Sequence, residues 1–298
     1  MNKRRIAVFT GNRAEYGLLY PLLKELRDHP QVDLELLVSG AHLDSNFGKT
    51  ITEIEDDGFK IAAEVKIALE QDRLSATSRA IGSGILAISG VLEKLQPDIL
   101  VVYADRFEGF SAVVAGSQMG LPVAHIEGGD VTEGGALDDS VRHAMTKLSH
   151  LHFTTNQAAS NRILAMGEEE WRVHLVGFVD HDLVRLGRLS NPDELIKRYG
   201  LDYSRPLILF TQHSVALQAE KAVEQFLPSR SALERIAQDG AQVIVTYPNN
   251  DAGGRAIIAE ITKWADDGLP DNVFVYPSLG QSNYHGILNL AKAALCSV

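Results

Sequence analysis

The sequence predicts an α/β protein made of two doubly wound domains with mostly parallel sheets. Three observations lead to this prediction. Short apolar runs alternate with longer amphipathic stretches along the whole chain, which is the pattern of strand–helix–strand units. Most of the runs are continuously apolar rather than alternating, as expected for parallel strands buried on both faces. A turn-rich, charged stretch from Asp180 to Pro206 separates two such series, and we place the first domain at residues 1–176 and the second at residues 177–298.

The predicted strands are short and bounded by turn residues or helical patterns. In these sheets, ligands bind beyond the carboxyl ends of the strands, so the residues that follow each strand are the ones to examine for chemistry. The strands are Arg5–Thr10, Leu34–Ser39, Ile99–Tyr103, Val123–Glu127, Leu151–Thr154, Val173–Gly177, Leu207–Thr211, Gln242–Tyr247 and Val273–Tyr276.

Helices are predicted where apolar residues recur every three or four positions. Leucines spaced four apart mark the first helix, in LLYPLLKEL, and Pro21 within it requires that the helix start late or kink. The glycines from Gly82 to Gly90 lie inside a long helical pattern, Leu74–Leu95, so we assign them to close helix packing. Gly240 follows SALERIAQD and is expected to end a helix.

Composition excludes several classes of protein. The chain has 298 residues, 45% of them hydrophobic, and 39 acidic against 28 basic side chains give a formal charge of -11. Such a charge repels a nucleic-acid backbone. No run approaches the ~20 apolar residues that span a bilayer, and the run Ile6–Phe9 is too short for a signal-peptide core. The single Cys296 cannot form an internal disulfide, which favours the cytoplasm. Together, these observations lead us to expect a cytoplasmic protein without nucleic-acid or membrane partners.

Charged side chains follow the strands of the first domain. Arg13, in GNRAEYG, stands at the mouth of a helix, where backbone N–H groups and a guanidinium form a good anion site. Asp105 and Arg106 end the strand of PDILVVYADRFEG, and Glu127 ends that of LPVAHIEGGD. Burial at a strand end raises the pKa of a carboxyl group unless donors compensate, which suits a base. The structural alternatives are surface pairing for Arg13 and helix capping for Asp105.

The stretch ALDDSVRHAMTKL adds further charges. Asp138 and Asp139 stand at a predicted helix start, with Arg142 four residues after Asp138. Alone, this pattern is typical of a capped helix with an i, i+4 ion pair. Helix capping and local ion pairs do not together explain why carboxylates stand at three successive strand ends or loops of one sheet. Carboxylates gathered in one cleft, some ionised and some protonated, are what proton transfer at a carbon or glycosidic centre requires.

The second domain offers a different set of side chains. His213 directly follows a strand in LFTQHSV, and Asn249, Asn250 and Asp251 follow another in VTYPNNDAGG. A histidine at such a position acts on phosphate or as an acid–base group, and the Asn-Asn-Asp cluster offers donors and acceptors for hydroxyls. The alternative for the cluster is an Asn-rich turn into a helix.

No metal site is predicted from the histidines. His150 and His152 form an H-x-H pair, but no third ligand stands at a suitable spacing. We expect His125 and His143 to be structural imidazoles with satisfied hydrogen bonds.

The stretches GNRAEYG, ADRFE, HIEGGDVTEGGALDDSVRHAMTKLSHLHF, QHS and YPNNDAG together resemble the UDP-N-acetylglucosamine 2-epimerases, most closely the hydrolysing branch used in sialic-acid-type sugar synthesis. The resemblance covers essentially the whole chain. It implies GT-B architecture, with a nucleotide sugar in the cleft between two Rossmann-like domains. It also implies elimination of UDP across C1 and C2 to a glycal, followed by addition of water to give N-acetylmannosamine and UDP. No cofactor is expected, because no hydride leaves the sugar.

The resemblance further implies roles for individual residues. Asp105, Glu127 and Asp138 become the acid–base and charge-stabilising set, without assignment of which one removes the C2 proton. His213 joins them on the side of the departing diphosphate. Relatives form homodimers or homotetramers, so an oligomer is expected. The residues implied in binding UDP or the substrate are Arg13, Arg106, Asp139, Arg142, Asn249, Asn250 and Asp251.

The sequence departs from the family pattern in three places. Ala104 stands where the family usually has glycine, and TEGGALDD carries one glycine more than usual, which leaves Asp138 and Asp139 interchangeable by one step. The chain also stops at Val298, where the family continues into a Gly-Asn-Ser-Ser-Ser-Gly loop that cradles the diphosphate. From this third departure we expect a truncated chain with little or no turnover and an incomplete second domain.

Other functions remain open at this point. One is a hydrolysing 2-epimerase of a UDP-2,4-diacetamido-trideoxyhexose, of the legionaminic-acid type; Glu127 in HIEGG favours the N-acetylglucosamine branch. Another is a non-catalytic module that holds a nucleotide sugar, although a binder of an anionic diphosphate should avoid clustered carboxylates. A glycosyltransferase would need an acceptor pocket, of which the sequence gives no sign.

Overall fold

The computed structural model describes most of the chain. Among the described residues, no helix is both long and apolar enough to cross a membrane. The described residues are 3–44, 49–67, 74–132, 137–187 and 189–297.

The described residues fall into two compact units. The first lies within Met1–Leu69 and Thr77–Leu183, and the second within Glu70–Ala76 and Val184–Val298. The units change at Leu183/Val184, a few residues after the predicted boundary at residue 177.

The first unit is built on a seven-stranded parallel sheet with the order β3-β2-β1-β4-β5-β6-β7. Continuously apolar strands form its centre, with Val8, Leu36, Val101 and Ala124 in one buried cluster. The elements are β1 (Arg4–Thr10), α1 (Arg13–Asp28), β2 (Val32–Ser39), α2 (Ile51–Asp56), β3 (Ile61–Val65), α3 (Leu74–Leu95), β4 (Ile99–Tyr103), α4 (Phe107–Gln118), β5 (Val123–Ile126), α5 (Leu137–Leu148), β6 (Leu151–Thr154), α6 (Gln157–Ala165), β7 (Val173–Leu175) and α7 (Asp180–Arg185).

The second unit is built on a four-stranded parallel sheet with the order β10-β9-β8-β11. Its core includes the fully buried Phe226, Val243 and Trp264. The elements are α8 (Pro192–Tyr199), β8 (Leu207–Gln212), α9 (Ala222–Gln238), β9 (Gln242–Thr246), α10 (Gly254–Gly268), β10 (Val273–Tyr276), α11 (Gln281–Leu290) and β11 (Ala293–Ser297).

The α/β class with two parallel, doubly wound sheets is thus confirmed. All nine predicted strands are present with small shifts at their ends, and α3 spans the predicted Leu74–Leu95. The sequence reading missed β3 and β11, two sheet-edge strands. In β3 only Val65 is fully buried, so the strand lacks the continuous apolar run on which the prediction relied.

Helix α1 does not start late to avoid Pro21. It begins at Arg13, because the Asn12 side chain caps it by accepting the Glu15 N–H at 3.1 Å. Proline removes one backbone hydrogen bond from the helix interior. Burial of Leu19 and Leu23 on either side of Pro21 stabilises the helix despite this loss.

Candidate active site

The sheet order reverses between β1 and β4 in the first unit. Chain connections leave these neighbouring strands in opposite directions, β1 toward β2 and β4 toward β5. At such a switch point the turns after the two strands flank a crevice in which ligands of α/β proteins bind. The turn after β1 contains Gly11 and leads to Arg13, and the turn after β4 contains Asp105 and Arg106. Three charged residues of the predicted site, Arg13, Asp105 and Arg106, therefore lie at one edge of the sheet.

Two residues at this edge have left-handed backbone conformations without being glycine. Ala104, after β4, has φ of 54°, and Glu127, after β5, has φ of 64°. Such conformations cost about 1–2 kcal/mol each in a residue with a Cβ atom. They are held by backbone hydrogen bonds to the next strand, from Ala104 N–H to the Ile126 carbonyl at 2.9 Å and from Glu127 N–H to the Phe153 carbonyl at 2.8 Å. Strain of this kind is typical of functional sites.

His125 fixes the turn that carries Ala104. Its side chain is fully buried, and burial lowers the pKa of the imidazole to about 4, so the ring is neutral at pH 7. Nε2 lies 2.6 Å from the Ala104 carbonyl, which can only accept, so Nε2 carries the proton. Nδ1 then accepts from the Thr146 hydroxyl at 3.2 Å. His125 is therefore structural, as predicted, whereas Nδ1 of His143 makes no hydrogen bond to the described part of the chain.

Arg142 on α5 joins two of the predicted carboxylates. Its Nη2 donates to Asp105 Oδ2, and its Nη1 donates to Asp139 Oδ1 at 2.9 Å. Asp139 Oδ1 also accepts the Thr132 N–H at 2.8 Å, which ties the helix to the loop after β5. With Arg142 only 8% exposed, its charge compensates two carboxylates in a partly dry environment.

Glu127 is poised between its two protonation states. Burial raises the pKa of its carboxyl group to about 7, and the charges of Asp105 and Asp130 add to the rise. The Tyr103 hydroxyl and, to a smaller extent, the Arg142 guanidinium lower it. A carboxyl group with a pKa near neutrality can both accept and release a proton at physiological pH.

The loop after Glu127 is fixed by close packing. A Cβ atom on Gly128 would lie 2.8 Å from His125 Nδ1, and one on Gly129 would lie 2.5 Å from the Ala159 carbonyl oxygen. Asp130 then accepts hydrogen bonds from Thr155 Oγ1 at 2.6 Å and Asn156 Nδ2 at 2.8 Å. The motif EGGD therefore holds Glu127 between rigid neighbours.

Asp138 lies half-buried on the first turn of α5, beside Asp139. The ion pair that Arg142 forms within α5 is with Asp139, three residues before it, and not the i, i+4 pair with Asp138 that the helix pattern alone suggested. The extra glycine of TEGGALDD lies outside the described residues. The structure thus brings Asp105, Glu127, Asp139 and Arg142 into one electrostatic cluster and places Asp138 on the same helical turn as Asp139.

Arg13 is the first residue of α1 and is half-buried. Burial and, to a smaller extent, the Arg13 charge lower the pKa of His42 to about 3. Burial raises the pKa of Glu53 on α2, and the Arg13 charge opposes this rise. Arg13 therefore lies on the side of the first unit formed by α2 and the turn that contains His42.

Sequence reasoning left three buried residues out of the site. Tyr103, at the end of β4, is 3% exposed, and its hydroxyl lowers the pKa of Glu127. Glu15 on α1 is 4% exposed and accepts the Gly11 N–H at 2.7 Å. Glu108 on α4 is 0% exposed, and its Oε2 lies 3.8 Å from Arg106 Nε. Both glutamates stand in the first turn of a helix, where acidic residues usually serve the helix terminus, so no sequence signal separated them from capping residues.

The second unit has its own polar cluster at the carboxyl ends of β8 and β9. His213 Nδ1 accepts the Asn249 N–H at 3.1 Å, so a neutral His213 ring carries its proton on Nε2. Asn249 Nδ2 donates to Asp251 Oδ2 at 2.7 Å, and the Asp251 N–H returns to Asn249 Oδ1 at 3.2 Å. Asn250 is buried. The cluster forms a closed turn before α10, in agreement with the structural alternative, and it also presents an imidazole and amides at a sheet edge.

Among the described residues, no group of three or more His, Cys, Asp or Glu side chains is arranged to hold a metal ion.

The predicted site residues divide between the units. Of the eleven, five gather at the edge of the first sheet and four at the edge of the second, while Arg13 and Asp138 lie in the first turns of α1 and α5. The first group is Asp105, Arg106, Glu127, Asp139 and Arg142, and the second is His213, Asn249, Asn250 and Asp251.

Two Rossmann-like units in one chain, each with polar residues at the carboxyl ends of its strands, define an α/β protein of the GT-B type. Comparison with solved structures confirms this fold. The UDP-GlcNAc 2-epimerase from Neisseria meningitidis bound to UDP-GlcNAc superimposes with a TM-score of 0.75 at 18% identity, over 98% of this chain and 77% of that one.

The model of the UDP-N-acetylglucosamine 2-epimerase family matches residues 24–296, and the chain belongs to this family. It is 34% identical to the UDP-N,N'-diacetylbacillosamine 2-epimerase (hydrolyzing) of Legionella pneumophila over 88% of this chain and 68% of that protein. It is 31% identical to the UDP-N-acetylglucosamine 2-epimerase of Neisseria meningitidis serogroup B over 97% of this chain and 73% of that protein. The resemblance drawn from the motifs is confirmed, and these relatives include a hydrolysing enzyme.

Proposed function

We propose that the protein is a hydrolysing UDP-N-acetylglucosamine 2-epimerase that converts its substrate to N-acetylmannosamine and UDP. One observation carries the proposal: Glu127, with a pKa near neutrality, lies beside an Asp105–Arg142–Asp139 ion-pair network at the switch point of the first sheet. Membership of the epimerase family supports the same substrate class.

The chemistry requires both kinds of carboxyl group. The C2 proton leaves as the bond between C1 and the diphosphate oxygen breaks, the bonding electrons go to UDP, and a glycal remains. Positive charge develops on the sugar ring during this step, and a nearby ionised carboxylate stabilises it. Water then adds its hydroxyl group to C1, and C2 receives a proton on the opposite face. Glu127 suits the proton transfers, and Asp105, as the ionised partner of Arg142, suits the stabilisation of charge.

The remaining predicted residues serve binding in this proposal. Arg13 and Arg106 supply positive charge near the turns at the switch point, and His213 and the Asn249–Asp251 turn bind parts of the nucleotide. Asp138, on the same first turn of α5 as Asp139, completes the predicted carboxylate set. We further propose that the enzyme needs no cofactor, works in the cytoplasm and forms a homo-oligomer.

A second substrate has specific support. The Legionella relative acts on UDP-N,N'-diacetylbacillosamine, a UDP-2,4-diacetamido-trideoxyhexose, and its identity to this chain, 34%, is slightly higher than the 31% of the Neisseria enzyme. Incubation of the protein with each UDP-sugar, with UDP release followed by chromatography, separates the two. Faster release from the diacetamido sugar would replace the main proposal by this one.

The mechanism is tested with isotopes. In D₂O, the sugar product should carry deuterium at C2, and in H₂¹⁸O the label should enter the sugar at C1 and not UDP. Recovery of a UDP-linked epimer instead of free UDP would exclude the hydrolysing reaction. Binding of UDP without release of any sugar from either substrate would favour a non-catalytic nucleotide-sugar module.

A further inference from the structure

Three turns of the first unit meet at one buried side chain, Glu108. A Cβ atom on Gly11, after β1, would lie 3.0 Å from Glu108 Cβ. A Cβ atom on Gly40, after β2, would lie 2.7 Å from Glu108 Oε1, and the Gly40 backbone is left-handed, with φ of 56°. The turn after β4 contributes Arg106, which pairs with Glu108. Glycine is therefore required where the first two turns approach this carboxylate.

A second buried carboxylate, Glu15, lies in the same place. Its Oε2 accepts the Gly11 N–H at 2.7 Å. The charged or titratable groups that act on it are Glu108 and Arg106 at the start of α4, Asp105 in the turn after β4, and Tyr103 on β4. Two carboxylates that are both buried against Gly11 cannot both be ionised without large cost, and the one that pairs with a cation keeps its charge.

We propose that Glu15 carries a proton while Glu108 stays ionised against Arg106, and that this acid pair positions the turns after β1, β2 and β4. The pair retains one negative charge, which Arg106 compensates. Holding these turns together presents Asp105 and Arg106 to the switch point. The protonation is independent of the proposed function, whereas its benefit to turnover rests on that function.

Burial, the charge of Glu108 and, to a smaller extent, the charge of Asp105 raise the pKa of Glu15 to about 8, although the Gly11 N–H and Arg106 lower it. Infrared spectroscopy detects the C=O stretch of a neutral carboxylic acid directly. The band should disappear with a midpoint near pH 8 in the wild type and be missing in Glu15→Gln. In Glu108→Gln the band should still be present at pH 5. Its midpoint should lie at a lower pH than in the wild type, because the repulsion from Glu108 is gone. Measurement in a Glu127→Gln background removes the other carboxyl group whose pKa is near neutrality.

Amide hydrogen exchange tests the positioning role without substrate. Glutamine has the shape of a neutral acid, but it cannot compensate the charge of Arg106. Glu108→Gln should therefore speed exchange in peptides that contain Gly11, Ala41 or Asp105 at least tenfold more than Glu15→Gln does. The control is Glu35→Gln, which removes a glutamate paired with Arg5 at 3.4 Å in the same unit and should change neither exchange in these peptides nor the infrared band.

Turnover of UDP-N-acetylglucosamine adds a third measurement. Glu108→Gln should lose at least tenfold more kcat/KM than Glu15→Gln. A wild-type band that survives Glu15→Gln unchanged, or exchange that Glu15→Gln speeds as much as Glu108→Gln, would overturn the inference. Absence of turnover in the wild type would overturn the proposed function alone, since the infrared and exchange measurements need no substrate.

Discussion

The side chains at the carboxyl ends of the strands differ between the two sheets. The edge of the first sheet holds clustered carboxylates, an arginine shared by Asp105 and Asp139, and a glutamate whose pKa is near 7. The edge of the second sheet holds an imidazole and an Asn249–Asp251 turn that closes on itself through hydrogen bonds. Charge is therefore concentrated at the first edge, whereas polar groups satisfy one another locally at the second.

Backbone strain follows the same division. At the first edge, Ala104 and Glu127 take left-handed conformations that their Cβ atoms disfavour. At the second edge, the left-handed position before α10 is occupied by Gly253, with φ of 94°, and costs little. Strained backbone conformations and clustered like charges destabilise a protein. They persist where the surrounding structure fixes them, and they are typical of functional sites. The contrast supports the proposal that the residues at the first edge carry out the reaction and those at the second bind the nucleotide.

The largest effect is expected from Glu127→Gln. If Glu127 moves the proton at C2, its amide should lower kcat by about a thousandfold, while UDP still binds. The measurement is the rate of UDP release, with UDP affinity from calorimetry as the control for folding.

Asn249→Ala is the matched change at the second edge. It removes the side-chain hydrogen bonds of the turn and should raise KM by about tenfold with a smaller change in kcat. A loss of kcat as large as that of Glu127→Gln would end the distinction between a chemical edge and a binding edge.

Arg142→Lys should have the second-largest effect, after Glu127→Gln. Lysine keeps the charge but cannot donate two separate hydrogen bonds in the fork geometry that reaches Asp105 and Asp139. Misplacement of Asp105 should lower kcat/KM by about a hundredfold. Arg230→Lys is the control, because Arg230 also bridges two carboxylates, Glu234 and Glu260, in the second unit. Equal losses in both variants would indicate a general effect of the lysine substitution.

The proximity of Asp105 and Glu127 at the first edge could be predicted from the sequence for a simple reason. Parallel strands end at the same side of a sheet, so Asp105 and Glu127, which follow neighbouring strands, had to lie near each other. The choice of Asp139 and not Asp138 as the partner of Arg142 depends on how α5 starts after the loop, which helical spacing does not specify. The conformation of Ala104 could be suspected only from the glycine that the family usually has there.

Glu15 and Glu108 could not be predicted from the sequence. Each lies in the first turn of a helix, and only the approach of Gly11 and Gly40 to Glu108 distinguishes a buried acid pair from two helix-terminal residues. Strand β3 was missed because an edge strand needs fewer apolar residues than a central one.

Tyr103→Phe should change the pH dependence of the first edge. The Tyr103 hydroxyl lowers the pKa of Glu127, so its removal should raise that pKa. If ionised Glu127 is the form that starts the reaction, kcat/KM of the wild type rises with pH through about 7, and this limb should move to higher pH in Tyr103→Phe. A limb that stays in place, or moves to lower pH, would remove Glu127 from the role of base.

The smallest effect is expected from the strained backbone itself. Ala104→Gly should stabilise the protein by about 1 kcal/mol, because glycine adopts the left-handed conformation without the Cβ penalty. Gly253→Ala should destabilise it by about 2 kcal/mol, since the added Cβ would lie 2.9 Å from Ser214 Cβ at a left-handed position. Urea unfolding of both variants measures the two signs. If Ala104→Gly proved destabilising, the turn after β4 would not be strained, and the first edge would differ from the second in charge alone.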